Sequence, residues 1–289
     1  MTISPHSPAW IALGWTFLHV LWIAAAIGLA ASIARRAMRR ASPEARHAAA
    51  LAGLLALAAA LFAAFVAVYE PAPTAAFVAP AAVAPRPPAA ESSPGLTAAA
   101  PAPPALRADR APIANRSWFE PWISFLPAAW LAGTSLLLAR TAAGVVGVER
   151  LRRSLKPHEL GPVAMRCRAM ARSLGTARDV SIAACDRVAA PMLIGIVRPM
   201  VVLPAAALSG WDRDLVEMAL LHELAHLRRL DNLTSLFQQF VEALLFFHPT
   251  TWWLSAWLRL ERESCCDALV VARIGDAVGY ARLLAALAD

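Results

Sequence analysis

Two short stretches of this 289-residue chain carry side chains suited to metal chemistry. The first is His222-Glu223-Leu224-Ala225-His226. On a helix, histidines four positions apart lie on one face, one turn apart, which suits two ligands of a single Zn²⁺ with the intervening glutamate as general base. The second is Glu261-Arg262-Glu263-Ser264-Cys265-Cys266-Asp267, whose Glu263 stands 37 positions beyond His226. Glu263 is the expected third ligand. Asp267, one turn further on, is expected to accept a hydrogen bond from the far nitrogen of a ligand histidine and so fix its tautomer. Glu261 is the competing ligand, but no aspartate follows it at the same spacing. Three protein ligands leave a fourth position for water, the mark of a catalytic rather than a structural zinc site. Cys265 and Cys266 offer soft sulfur, yet they point from the helix at angles different from Glu263 and are not expected to ligate. Tyr280 and Arg262 are candidates for stabilising an oxyanion, with packing and a surface ion pair as the default reading of each.

These residues need elements to hold them. Asp212 can cap a helix over residues 213–229 that carries both histidines. Arg228, Arg229 and Asp231 then read as a solvated helix end. Between the two clusters, residues 243–258 form a run of 16 uncharged residues. If this run crossed a bilayer, His226 and Glu263 would be separated by ~30 Å of hydrocarbon. A shared metal therefore requires a helical hairpin bent near His248-Pro249, with its apolar tip buried in the domain or dipped into the inner leaflet. His248 is expected at the turn rather than on the metal. Upstream, residues 162–174 read as a helix stopped by Gly175, residues 179–184 as a strand, and residues 191–204 as a hairpin or bent strand pair. That pair either packs on the helices alone or offers an edge to an extended peptide. Residues 268–289 are amphipathic and contain no further span.

The composition places the rest of the chain in a membrane. Hydrophobic residues make up 59% and charged residues 16%, against roughly 25% charged in soluble domains. Residues 10–34 and 48–69 are free of formal charge, and so are residues 121–139, each long enough for a transmembrane helix. No cation precedes Arg35, so the first span reads as an uncleaved anchor with its N-terminus outside. Arg35, Arg36, Arg39, Arg40 and Arg46 mark a cytoplasmic loop, and Arg140, Arg150, Arg152, Arg153 and Lys156 mark the cytoplasmic side of the third span. Trp118, Trp122 and Trp130 read as interface anchors. Residues 70–117 hold 11 of the 22 prolines and are expected to be a largely unstructured extracytoplasmic loop. The domain plan is thus two spans within residues 1–69, the loop at 70–117, a third span at 118–141 and a cytoplasmic domain at 142–289. Four cysteines without a paired framework fit a reducing compartment. The net charge of +7 clusters around apolar runs, which suits a lipid bilayer and argues against direct nucleic-acid binding.

The sequence resembles the BlaR/MecR-type antirepressor family of membrane zinc metallopeptidases, known from bacterial β-lactam sensor-transducers. The shared elements are His-Glu-Leu-Ala-His followed by Arg-Arg-Leu-Asp, then Phe-His-Pro-Thr-Thr-Trp-Trp, Glu-Arg-Glu-Ser-Cys-Cys-Asp, and the Pro-Met-Leu-Ile-Gly-Ile-Val-Arg-Pro-Met-Val-Val-Leu-Pro segment upstream. The resemblance is close over residues 180–280 and loose over the spans. Together with the three transmembrane helices read above, it implies an α-helical membrane protein of the bacterial inner membrane with a cytoplasmic α+β gluzincin-like zinc metalloprotease domain. It also implies His222, His226 and Glu263 as zinc ligands and Glu223 as catalytic base. The implied substrate is a protein or peptide, with a cytoplasmic DNA-binding repressor as the regulatory target. In the best-known members a penicillin-binding sensor domain follows a fourth span, beyond the point where this sequence stops, so the sequence reads either as a fragment or as a member answering another signal, and β-lactam sensing is in doubt. Two rival functions remain: a quality-control protease using the same zinc site, and a non-catalytic transducer in which zinc only braces the fold. The presence of Glu223 speaks against the second.

Overall fold

A computed structural model describes residues 7–69, 120–155, 161–176 and 178–288. The proline-rich loop expected at 70–117, Trp118 and Lys156 lie outside them. Three helices are long and apolar enough to cross a membrane. Helix α1 (Pro8–Ala37) starts at Ser7, whose hydroxyl accepts a hydrogen bond from the Trp10 N–H. A tight turn at Met38–Arg40 leads into α2 (Pro43–Val68), capped in the same way by Ser42. Both caps are followed by proline at the first helical position, where its missing N–H costs nothing. Helix α3 (Glu120–Ser154) departs from expectation. The sequence suggests a span ending near residue 141 and a new domain beyond it, yet the helix continues unbroken to Ser154. At 1.5 Å per residue that adds about 20 Å of helix beyond the apolar run. The change in composition there marks a change of surroundings for one helix rather than the start of another element.

The remainder is mixed. After α4 (Gly161–Ser173) come strands β1 (Ser181–Cys185), β2 (Met192–Ile194) and β3 (Met200–Pro204), in the spatial order β1-β3-β2. β1 runs parallel to β3, pairing Ser181 with Met200, and β2 runs antiparallel to it, pairing Leu193 with Val201. Every residue of β3 is buried, as a central strand with both faces covered should be. β2 is an edge. Then follow α5 (Ala205–Gly210), α6 (Arg213–Arg229), α7 (Asp231–Leu244), α8 (Pro249–Ile274) and α9 (Ala277–Ala288). Leu220, Leu224 and Leu227 of α6 pack with Val201 and Leu203 of β3 and Val270 of α8 to form one apolar core.

The second core joins this domain to the membrane helices. Helices α7 and α8 form a hairpin whose turn falls at residues 245–248, so the apolar run does not continue across as a span. His248 ends the turn: its Nδ1 accepts from the Thr250 N–H, and its Nε2 lies 3.2 Å from the Leu21 carbonyl oxygen of α1. The tip is inserted among the apolar helices, with Val241, Leu245, Leu254, Trp257 and Leu258 packed against Val20, Ala24, Leu54 and Leu57. Lipid tails are as apolar as leucine, so such contacts depend on close fit and on hydrogen bonds. Both are present. Trp130 Nε1 donates to the Leu244 carbonyl at 2.7 Å and Thr134 Oγ1 to the Ala243 carbonyl at 3.0 Å, satisfying acceptors that the end of α7 leaves free. A Cβ at Gly28 would strike Thr250, and one at Gly133 would strike the ring of Phe246.

Candidate metal centre

Helix α6 turns its leucines inward and presents His222 and His226 on its other side, into a cleft of about 430 Å³. Helix α8 crosses it and brings Glu263 to the same place. His222 Nε2 and His226 Nε2 are 3.2 Å apart, and Glu263 Oε2 lies 3.5 Å from the first and 3.6 Å from the second. Ligands at about 2.0–2.1 Å from a tetrahedral ion stand about 3.3 Å from one another. The three donor atoms therefore already have nearly the separation that one metal ion requires, and they form one of two groups of metal-capable side chains found among the described residues.

Each imidazole is held from behind. Tyr280 OH donates to Asp267 Oδ1 at 2.7 Å and lies 2.8 Å from His222 Nδ1, so it accepts from the Nδ1–H tautomer. Asp267 itself is 3.3 Å from His222 Nδ1. The carboxylate expected behind a ligand histidine thus reaches it mainly through a tyrosine. His226 Nδ1 is 2.8 Å from Asp231 Oδ2. Asp231 is only 2% exposed, so the reading of residues 228–231 as a solvated helix end is incorrect for this residue. The cause is local: Leu230 adopts a left-handed conformation (φ 58°) and reverses the chain, starting α7 directly beneath His226. With both Nδ1 atoms so engaged, both Nε2 lone pairs are directed at the space beside Glu263.

The remaining sequence candidates fall elsewhere. Glu261 is buried, 2.7 Å from Arg46 Nε and accepting from Trp257 Nε1, and does not join the cluster. Arg262 borders the cleft while its Nη2 donates to Gln238 Oε1 at 2.8 Å. The Tyr280 hydroxyl is committed to Asp267 and His222. Cys266 Sγ approaches His226 Nδ1 at 3.3 Å, and with Asp231 and His226 it forms the other metal-capable group. That group uses the nitrogen already bonded to Asp231. All four cysteines are free thiols.

The electrostatics favour a cation between the histidines. Burial pulls the His222 imidazole down, but Asp267 and Glu263 outweigh it and lift it to about 9. His226 is raised against the same burial by Asp231, Cys266 and Glu263. Glu263, beside both imidazoles, sits well below the usual carboxylate range. Glu223 behaves differently: burial pushes its carboxyl up, against the two imidazoles that lower it and a hydrogen bond from the Leu193 main chain. The Leu193 contact also ties Glu223 to edge strand β2, a link that no sequence pattern announces.

Helices fit to enter a bilayer, packed against a cleft where three metal-capable donors converge, are the parts a membrane metallopeptidase requires. The chain belongs to the family described as BlaR1 peptidase M56, which matches residues 15–287. It is also similar to the regulatory protein BlaR1 of Bacillus licheniformis, 26% identical over 147 residues. That stretch is half of this chain but only 24% of the relative's length.

Proposed function

We propose that this protein is a zinc-dependent endopeptidase of the bacterial inner membrane, with its cleft on the cytoplasmic side, that cuts a cytoplasmic regulatory protein such as a DNA-binding repressor. The observation that carries this reading is the spacing of His222 Nε2, His226 Nε2 and Glu263 Oε2, with Glu223 on the same cleft wall. These three residues would hold the zinc, which supplies a water of lowered pKa and polarises the scissile carbonyl. Glu223, on the cleft wall, would serve as the general base that accepts a proton from the attacking water and returns it to the leaving amine. Asp231, and Asp267 through Tyr280, keep the imidazoles in the required tautomer.

A polypeptide substrate is favoured by the surroundings of the cleft. A groove of about 990 Å³ continues from it between the far end of α3, the β2–β3 hairpin and α7, and shares Leu193, Asn232 and Ser235 with it. Such a channel suits an extended chain better than a small molecule, and edge strand β2 beside it offers main-chain pairing. Arginines after α1 and along the end of α3 support a cytoplasmic cleft through the positive-inside rule. The regulatory name of the relative supports a signalling role over general degradation.

The test compares new protein N-termini in native-host cells that express the wild type or Glu223→Gln at equal levels, both verified to retain metal. A single cytosolic cut that vanishes in the variant supports a signalling protease and identifies its target. Many cuts in membrane proteins would point to quality control instead. No difference under envelope stress would overturn proteolysis.

A further inference from the structure

A second concave site lies on the other side of α8 from the metal cleft, at the turn that joins α1 to α2. It has a volume of about 620 Å³, and its walls include Arg35, Arg36, Arg39 and Arg46 with Trp253 and Glu261. Four guanidinium groups thus share one pocket with one carboxylate, and that carboxylate is already engaged by Arg46 at 2.7 Å and by Trp257 Nε1 at 3.0 Å. Two of the cations are fixed in place. Arg46 also donates from Nη1 to the Ala41 carbonyl at 2.7 Å. Arg35 stacks over Trp253 and Trp257, with Cζ 5.9 and 5.7 Å from the ring centroids. Arg36 and Arg39 have no hydrogen-bonding or ion-pair partner among the described residues. The pocket therefore carries excess positive charge on a prearranged frame, at the point where two helices fit to cross a membrane turn back.

We propose that this pocket binds the phosphate of an anionic phospholipid headgroup, held between Arg36 and Arg39 with Arg35 and Arg46 behind them. Guanidinium groups recognise phosphate through forked, charge-assisted hydrogen bonds. Basic pockets between membrane helices accept anionic headgroups for that reason. Trp253, half-buried on the same wall, has the amphipathic ring expected at headgroup level. The location favours a lipid over free phosphate, because the cations project from the ends of apolar helices where headgroups are at high local concentration. The headgroup would also brace α8, which carries Glu261 on this side and Glu263 on the other.

The test uses the full chain in detergent, titrated with phosphatidylglycerol or phosphatidylcholine and followed by native mass spectrometry. The expected result is retention of phosphatidylglycerol in preference to phosphatidylcholine. Arg36→Gln combined with Arg39→Gln should weaken that retention about tenfold, since it removes the two guanidinium groups placed on the phosphate. Arg40→Gln combined with Arg150→Gln, which removes as much charge outside the pocket, should leave it unchanged. Equal losses in both pairs would overturn the site in favour of diffuse attraction. Absence of any phosphatidylglycerol preference in the wild type would overturn it without reference to variants. Saturable binding of inorganic phosphate with no lipid preference would overturn the lipid assignment.

Discussion

Asp231 Oδ2 lies 2.8 Å from His226 Nδ1, from a position where only 2% of the aspartate is exposed. A carboxylate so placed fixes the tautomer of the imidazole and raises its basicity toward a metal on the opposite nitrogen. Asp231→Asn keeps the shape and removes the charge. Metal affinity should fall about 10- to 100-fold, as it does when such outer partners are altered. Competition with a chromogenic chelator measures it, and unchanged affinity would show that Asp231 only packs.

Tyr280→Phe should have a milder effect than Asp231→Asn. The tyrosine bridges His222 and Asp267, but Asp267 is already 3.3 Å from the same nitrogen and can take its hydrogen bond directly. A loss in metal affinity below that of Asp231→Asn is expected in the same assay. A larger loss would mean that the hydroxyl, and not the carboxylate behind it, fixes the ring.

Glu223 and the three donor residues should separate cleanly. Glu223→Gln is expected to retain metal and to lose at least about 10²-fold in turnover of a cleaved peptide. His226→Ala or Glu263→Ala should lose the metal itself. Elemental analysis of the purified proteins beside the peptide assay decides the matter, and a metal-free Glu223→Gln would count against its assigned role.

Gly133 faces the ring of Phe246 and has no room for a side chain. Gly133→Val forces the tip of the α7–α8 hairpin away from α3 and should cost about 1–3 kcal/mol, the range for overpacked sites. Thermal melting in detergent measures the loss. Gly144→Val, at a position on the same helix with open space around it, is the control and should melt close to the wild type.

Burial pushes the Cys167 thiol up to about 12 and that of Cys265 up to about 11, from an ordinary value of 9.0. The unfolded chain then ionises before the folded one, so stability contributed by the neutral thiols is lost as pH rises above about 9. At pH 8 neither thiol should react with iodoacetamide in the native protein. All four cysteines should react once the chain is unfolded in denaturant, and ready native labelling at Cys167 would contradict its burial.

The helix of residues 213–229 was legible because leucines recur at helical spacing, and the bend at His248-Pro249 because His226 and Glu263 can share a metal only if the run between them turns back, which proline allows. Asp212 begins that helix as expected, although its side chain makes no capping hydrogen bond. The sequence was silent on other features for identifiable reasons. Nothing in a leucine announces the left-handed turn at Leu230 that carries Asp231 under His226. Tyr280 was a candidate for another role, and its place behind His222 depends on how α9 folds back after Gly275, which spacing along the chain does not give. The length of α3 was misjudged because hydropathy marks where a helix meets lipid, not where it ends.

The seam between the α7–α8 hairpin and the membrane helices also bears on synthesis. A chain that emerges N-terminus first completes α1, α2 and α3 before residues 222–280, which build the cleft, leave the ribosome. The hairpin tip then docks on helices that already exist. The cleft is therefore assembled last, on a finished anchor, and a C-terminal part cut free of residues 1–154 would present to water the apolar surface that now lies against them.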